Sequence, residues 1–237
     1  MCVPLQRKFL LTLKNKSIMG KSLNNPMMTW YGKVGANVFS KLFGQQIIRE
    51  YAKPSNPNTE KQQLVRARFN LMAKLGVVFD QSSLVALKSK ANGEGMFPNN
   101  MFFALNYKNV TGTTADNVSI DPSKIIVATG NLPGVVFSSA LGTSTPGTLT
   151  VTVTDVMATA PRASDEDDIY VVLYCPDAGM SILSAPARRT DGATLSVRYP
   201  SAWSGLEVHA YGFVMGGLEK TTGKASNSEY IGHAELG

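Results

Sequence analysis

Few side chains in this chain have the types and spacing that chemistry requires. Asp165-Glu166-Asp167-Asp168 is the one run of carboxylates. Alternating oxygens can hold Ca²⁺, but this run lacks the Asp-x-Asn/Asp-x-Asp/Asn-Gly spacing and the closing Glu of a calcium loop. It reads better as a solvated loop ahead of a strand. His209 and His233 are the only histidines. Neither has a Cys or His neighbour at zinc spacing, so each reads as a core-edge or surface residue. No serine sits in a Gly-x-Ser-x-Gly elbow. Gly32-Lys33-Val34-Gly35 lacks the length of a phosphate-cradling loop and the Lys-Ser/Thr that would end one. The expectation is therefore a protein that is not an enzyme, with no catalytic residue, metal, cofactor or small-molecule substrate.

Cations are the stronger signal. Arg49, Lys53, Arg66, Arg68 and Lys74 are the candidate binding residues, with Trp30, Tyr31 and Tyr51 near the first of them. Arginine and lysine interleaved with aromatic rings can follow a phosphate backbone and stack on bases. A basic helix can equally dock on an acidic protein surface. The formal net charge of +6 conceals an asymmetry: residues 1–90 hold fifteen Lys/Arg against three acids, and residues 91–237 hold eight against fourteen. A net of +12 followed by a net of −6 points to an anionic partner, and permits head-to-tail self-association.

These cations need elements to hold them. Residues 53–75 begin as a Pro-broken extended segment and become a basic helix. Thr59 followed by Gln62 fits a capping box. Leu64, Ala67, Leu71, Leu75 and Val78 make an apolar stripe, with Lys61, Arg66, Arg68 and Lys74 off it. Before the helix, residues 27–51 read as a β-hairpin-like unit with its tight turn at Gly44. After it come a second helix over 81–90, a flexible loop over 91–95 and an aromatic stretch over 99–107. A polar linker follows over 109–122.

From 123 onward the pattern is β. Strands are expected over 124–128, 135–139, 148–155, 169–174, 180–184, 193–199, 207–214 and 229–236, with a turn at Thr190-Asp191-Gly192. Thr148-Leu-Thr-Val-Thr-Val-Thr alternates with period two. Eight short strands with turn signals between them are the pattern of an immunoglobulin-like sandwich. The fold expected is mainly β with a short α segment. Its parts are a disordered basic tail (1–18), a basic hairpin and helix (19–108), the linker (109–122) and an antiparallel sandwich (123–237). Cys2 and Cys175 are the only cysteines, and no disulfide is expected. No run approaches the ~18 apolar residues of a membrane span. Phe9–Leu13 is too short for a signal h-region and has no small-residue cleavage pattern after it, so a soluble protein that is not secreted is expected.

Several strings resemble the DUF6266 family, a family of unknown function. They are Met19-Gly-Lys, Tyr31-Gly-Lys-Val-Gly-Ala-Asn-Val38, Ile48-Arg-Glu-Tyr51 and Pro54–Phe69, then Gly130-Asn-Leu-Pro-Gly134 and Arg188–Val197. Ser201-Ala-Trp-Ser-Gly205, Val208-His-Ala-Tyr211, Lys224-Ala-Ser-Asn-Ser228 and Tyr230-Ile-Gly232 follow in order. The resemblance covers residues 19–236. Residues 1–18 fall outside it, which makes Met19 a natural alternative start.

The family is met in Bacteroidales-type bacteria and their phages and prophages, and offers no catalytic residues. It implies a structural, virion-type protein of a tailed phage or prophage, assembling as a homo-oligomer or with other virion proteins. The expected location is the virion, or the host cytoplasm during assembly. A nucleic-acid-binding accessory protein is the alternative.

Overall fold

The computed structural model describes residues 19–22, 30–42, 45–53, 55–80, 82–191, 194–217 and 223–237. The expected tail over 1–18, Cys2, the Gly44 turn and Gly192 lie outside them. The chain divides between Pro57 and Asn58 into two compact units.

In the first unit, β1 (Met19–Ser22), β2 (Gly32–Val34), β3 (Asn37–Leu42) and β4 (Gln45–Glu50) form one antiparallel sheet in the order β1-β4-β3-β2. Gly35, at φ +60°, and Ala36 close the β2–β3 hairpin. The expected hairpin is therefore β3–β4, with a further strand added on each side.

In the second unit, Thr59 caps α1 (Glu60–Val78) as its spacing predicts: Thr59 Oγ1 accepts from the Gln62 amide at 3.4 Å. The second helical stretch arrives later and shorter than expected, as a 3-10 turn over Val85–Leu87 leading into α2 (Lys88–Gly93). Residues expected to be a flexible loop thus close a helix, and Ala91 is fully buried. The aromatic stretch is itself a helix, α3 (Pro98–Asn106), with proline in its first turn where no amide is needed.

The expected linker is not a linker. β5 (Val110–Thr111) pairs with β6 (Ser119–Ile120), and Val110 is buried in the core. No strand forms over 124–128 either. There the buried Asn106 carboxamide takes both main-chain groups of Ile126: Oδ1 accepts its amide at 2.7 Å and Nδ2 donates to its carbonyl at 2.9 Å. One side chain does the work of a neighbouring strand.

The remaining strands are β7 (Val136–Thr145), β8 (Thr148–Asp155), β9 (Asp168–Cys175), β10 (Met180–Leu183), β11 (Ala187–Arg188), β12 (Thr194–Arg198), β13 (Glu207–Met215) and β14 (Glu229–Glu235). They form a three-stranded sheet ordered β12-β8-β7, and a larger sheet ordered β10-β9-β13-β14 with β11 also on β9. All their pairings are antiparallel.

Helices pack on one face of the larger sheet and the three-stranded sheet packs on the other. Met72, Leu75, Phe79, Leu87 and Phe102 meet Val172, Tyr174, Tyr211 and Phe213. On the opposite face, Leu149, Val151 and Val197 meet Ile169, Val171, Leu173 and Val214 around Trp203. Coverage on both faces explains why β9 reads Ile-Tyr-Val-Val-Leu-Tyr-Cys without polar alternation. The helices expected in a separate region are one layer of this body.

Candidate interaction surface

Sheet register sets the faces of the first unit. Lys33, Val38 and Arg49 stand in one cross-strand row, and Gly32, Phe39 and Ile48 in the next. Because side chains alternate, Lys33, Val38, Leu42, Ile47 and Arg49 share one face. Val34, Phe39, Lys41 and Ile48 share the other. Trp30 packs on Phe39 with ring centroids 5.8 Å apart. Lys33 Nζ lies 3.9 Å from the centroid of the Tyr51 ring, a cation–π contact.

Outside β1, no described residue of this unit is buried. Trp30 keeps 43% of its surface exposed, Tyr31 66% and Leu42 52%. Arg49 and Lys53 are exposed, the former at the end of β4 and the latter just beyond it. Over residues 1–57 nine Lys/Arg face a single acid, Glu50. The unit is a cationic sheet carrying uncovered aromatic and aliphatic side chains.

The other three cations lie on α1 in the second unit. Arg66 Nη1 donates to Asn58 Oδ1 at 3.1 Å and so braces the start of the helix. Lys74 is exposed. Arg68 departs from expectation: it is half-buried, and its Nη2 donates to the Gly112 carbonyl at 2.8 Å. The reason is periodic. The buried face is centred on Met72, Leu75 and Phe79, and Arg68 stands four residues before Met72 on that same side. It ties the 109–121 segment to the helix and is not a free cation. The solvent side of α1 instead presents Phe69, which packs on Phe103 with tilted rings and centroids 4.5 Å apart and is 55% exposed.

The acidic run also differs from its reading as a solvated loop. Asp167 is fully buried, and its Oδ2 stands 3.4 Å from Arg189 Nη2, on a side chain only 1% exposed. Asp167 also accepts from the Ser164 amide at 2.9 Å and the Gly217 amide at 3.4 Å. Arg189 donates to the carbonyls of Pro133, at 2.9 Å, of Gly134, at 3.3 Å, and of Val156. Four loops are clamped by one ion pair. The legible hint was a pair of arginines, Arg188-Arg189, twenty residues after a run of carboxylates.

His209 is largely buried in β13, its Nδ1 3.1 Å from the Tyr230 hydroxyl. Burial lowers its pKa, against an opposing pull from Glu207. Tyr211 beside it donates to the Pro122 carbonyl at 2.7 Å, and burial pushes its phenol far above the ordinary range. His233 remains exposed, 3.9 Å from Glu207. Among the described residues no group of three or more His, Cys, Asp or Glu side chains is placed to hold a metal. Cys175 is a buried free thiol. No described helix is long and apolar enough to cross a membrane.

The family model described as "Family of unknown function (DUF6266)" matches residues 28–232. Comparison with curated proteins and with solved structures finds no match to this chain.

Proposed function

The chain belongs to the DUF6266 family, and on that premise we propose that it is a non-enzymatic structural subunit that assembles through its basic N-terminal sheet. One observation carries this reading: a sheet whose strands β2, β3 and β4 hold no buried side chain. Sheets are stable when an apolar face is covered, and uncovered aromatic patches rimmed by charge mark contact surfaces. The occupant we assign is a second copy. Residues 91–237 carry fourteen acids against eight Lys/Arg, so the acidic body of one copy suits the cationic sheet of the next. Repeated weak contacts of this kind add through multivalency. A tailed-phage or prophage particle is the setting we propose for such an assembly.

We read the body further as immunoglobulin-like. In support, β7, β8 and β12 stand as strands A, B and E would, and β9, β13 and β14 as C, F and G.

A second reading has its own observation. Trp30, Tyr31 and Tyr51 are exposed around Lys33 and Lys53, which is the pairing of rings and cations that binds single-stranded nucleic acid.

Size-exclusion chromatography with light scattering, read at 260 and 280 nm, separates the two. Self-assembly predicts a nucleic-acid-free oligomer that Arg49→Glu with Lys53→Glu reduces to monomer. A monomer that carries nucleic acid and sheds it as salt rises would support the second reading and overturn the first.

A further inference from the structure

We infer that the groove between α2 and the paired segments 129–132 and 223–227 binds a small organic anion through a phosphate or carboxylate group. This inference is independent of the assembly reading. It starts from the way two distant strings meet. The Leu132 amide donates to the Ala225 carbonyl at 3.1 Å, and Leu132 bridges Ser226 in parallel. The approach requires glycine at 130, where a Cβ would stand 2.0 Å from the Ala225 carbonyl oxygen.

Asn227 is oriented by the same crossing. Its Oδ1 accepts from Thr129 Oγ1 and from the Gly130 amide, each at 3.2 Å. With the oxygen engaged twice, the group left to offer is Nδ2, which is a donor only. Lys90, Lys224 and Ser89 line the groove beside it. Among the described residues neither lysine pairs with a carboxylate, and no described carboxylate lines the groove. The methyl groups of Ala86 and Ala225, both buried, add an apolar wall.

Two lysines and an asparagine whose oxygen is already engaged thus line one space. Its volume of about 430 Å³ falls within the ~300–1,000 Å³ of small-ligand sites. Two cations with no described carboxylate beside them favour an anion there over a metal ion.

Titration of the ¹⁵N-labelled full chain with inorganic phosphate, and separately with acetate, tests this at ionic strength held constant with chloride. The expected result is saturating amide shifts at Ser89, Lys90, Thr129 and Asn227 with at least one anion. The anion that saturates identifies the head group. Lys90→Gln with Lys224→Gln should weaken binding at least tenfold. Asn227→Asp should abolish it, since the aspartate keeps the acceptor and replaces the donor with a negative charge. If Asn227→Asp disturbs the spectrum beyond the groove, the lysine variant decides, because both lysines are exposed. Shifts that grow linearly and spread over the surface lysines, or saturating shifts that neither variant alters, would overturn the inference.

Discussion

Arg189→Met should be among the most damaging single changes in the body of the protein. The substitution keeps much of the apolar stem and removes a guanidinium that is 1% exposed, leaving the fully buried Asp167 carboxylate without its counter-ion. Breaking a buried pair by deleting one partner costs about 3–5 kcal/mol. The carbonyls of Pro133, Gly134 and Val156 lose their donor as well, at about 1–3 kcal/mol for any that water does not reach. These costs overlap, and a loss of about 4–6 kcal/mol follows, against a total stability of about 5–15 kcal/mol.

Urea unfolding followed by Trp203 fluorescence in a Trp30→Phe background reads this unit, because Trp203 is buried between its sheets. With a slope of about 2–3 kcal/mol/M, the midpoint should fall by about 2 M. Adding Asp167→Ala should recover part of the loss, giving a coupling above about 1 kcal/mol. A midpoint shift under about 0.5 M, or strictly additive single and double variants, would refute the reasoning.

Other outcomes follow from the same geometry. Burial lowers the His209 pKa in the fold, so the unfolded chain takes up the proton first. The stability this residue contributes is therefore complete above its ordinary value of about 6.5 and is lost as pH falls below it. Urea midpoints at pH 7.5 and pH 5 should diverge more for the wild type than for His209→Gln, with Glu207, His233, Asp121 and Tyr230 facing the ring unchanged. Gly212→Ala should cost about 1–3 kcal/mol by overpacking, since its Cβ would stand 2.2 Å from the Phe137 ring; thermal melting reads this. Arg68→Ala should lower stability by about 1–2 kcal/mol and leave assembly intact. Arg49→Glu with Lys53→Glu should do the reverse, which paired melting and light-scattering measurements would show.

Period and punctuation made much of the fold legible. Thr59 announced the start of α1, and the alternation of 148–154 announced β8. Gly35 and Gly147, both at positive φ where hairpins close, are turn signals that the placing of the hairpin turn at Gly44 passes over.

What escaped reading depended on partners distant in sequence. The segment after Pro122 has strand-forming residues, yet the Asn106 side chain satisfies Ile126 and no ladder forms. Asp167 looks like its three acidic neighbours until Arg189 arrives from the far side of β9. Arg68 reads as a surface cation because the stripe of Leu64, Ala67, Leu71, Leu75 and Val78 excludes it, yet only Leu75 of that stripe is fully buried, and the buried face runs through Met72, Leu75 and Phe79. Of the five candidate cations, Arg49, Lys53, Arg66 and Lys74 are exposed and Arg68 is half-buried, and Arg66 and Arg68 are bonded within the second unit. The anion groove was invisible in sequence because three separate segments build it.

In the assembly we propose, copies of this chain cover the N-terminal sheet. Amide hydrogen exchange across residues 32–50 at low and high protein concentration tests it most directly. Assembly through the sheet predicts that exchange in β2, β3 and β4 slows as concentration rises, while β9 and β13, buried on both faces already, stay unchanged. Particles that grow in light scattering while exchange over 32–50 stays the same at both concentrations would contradict it.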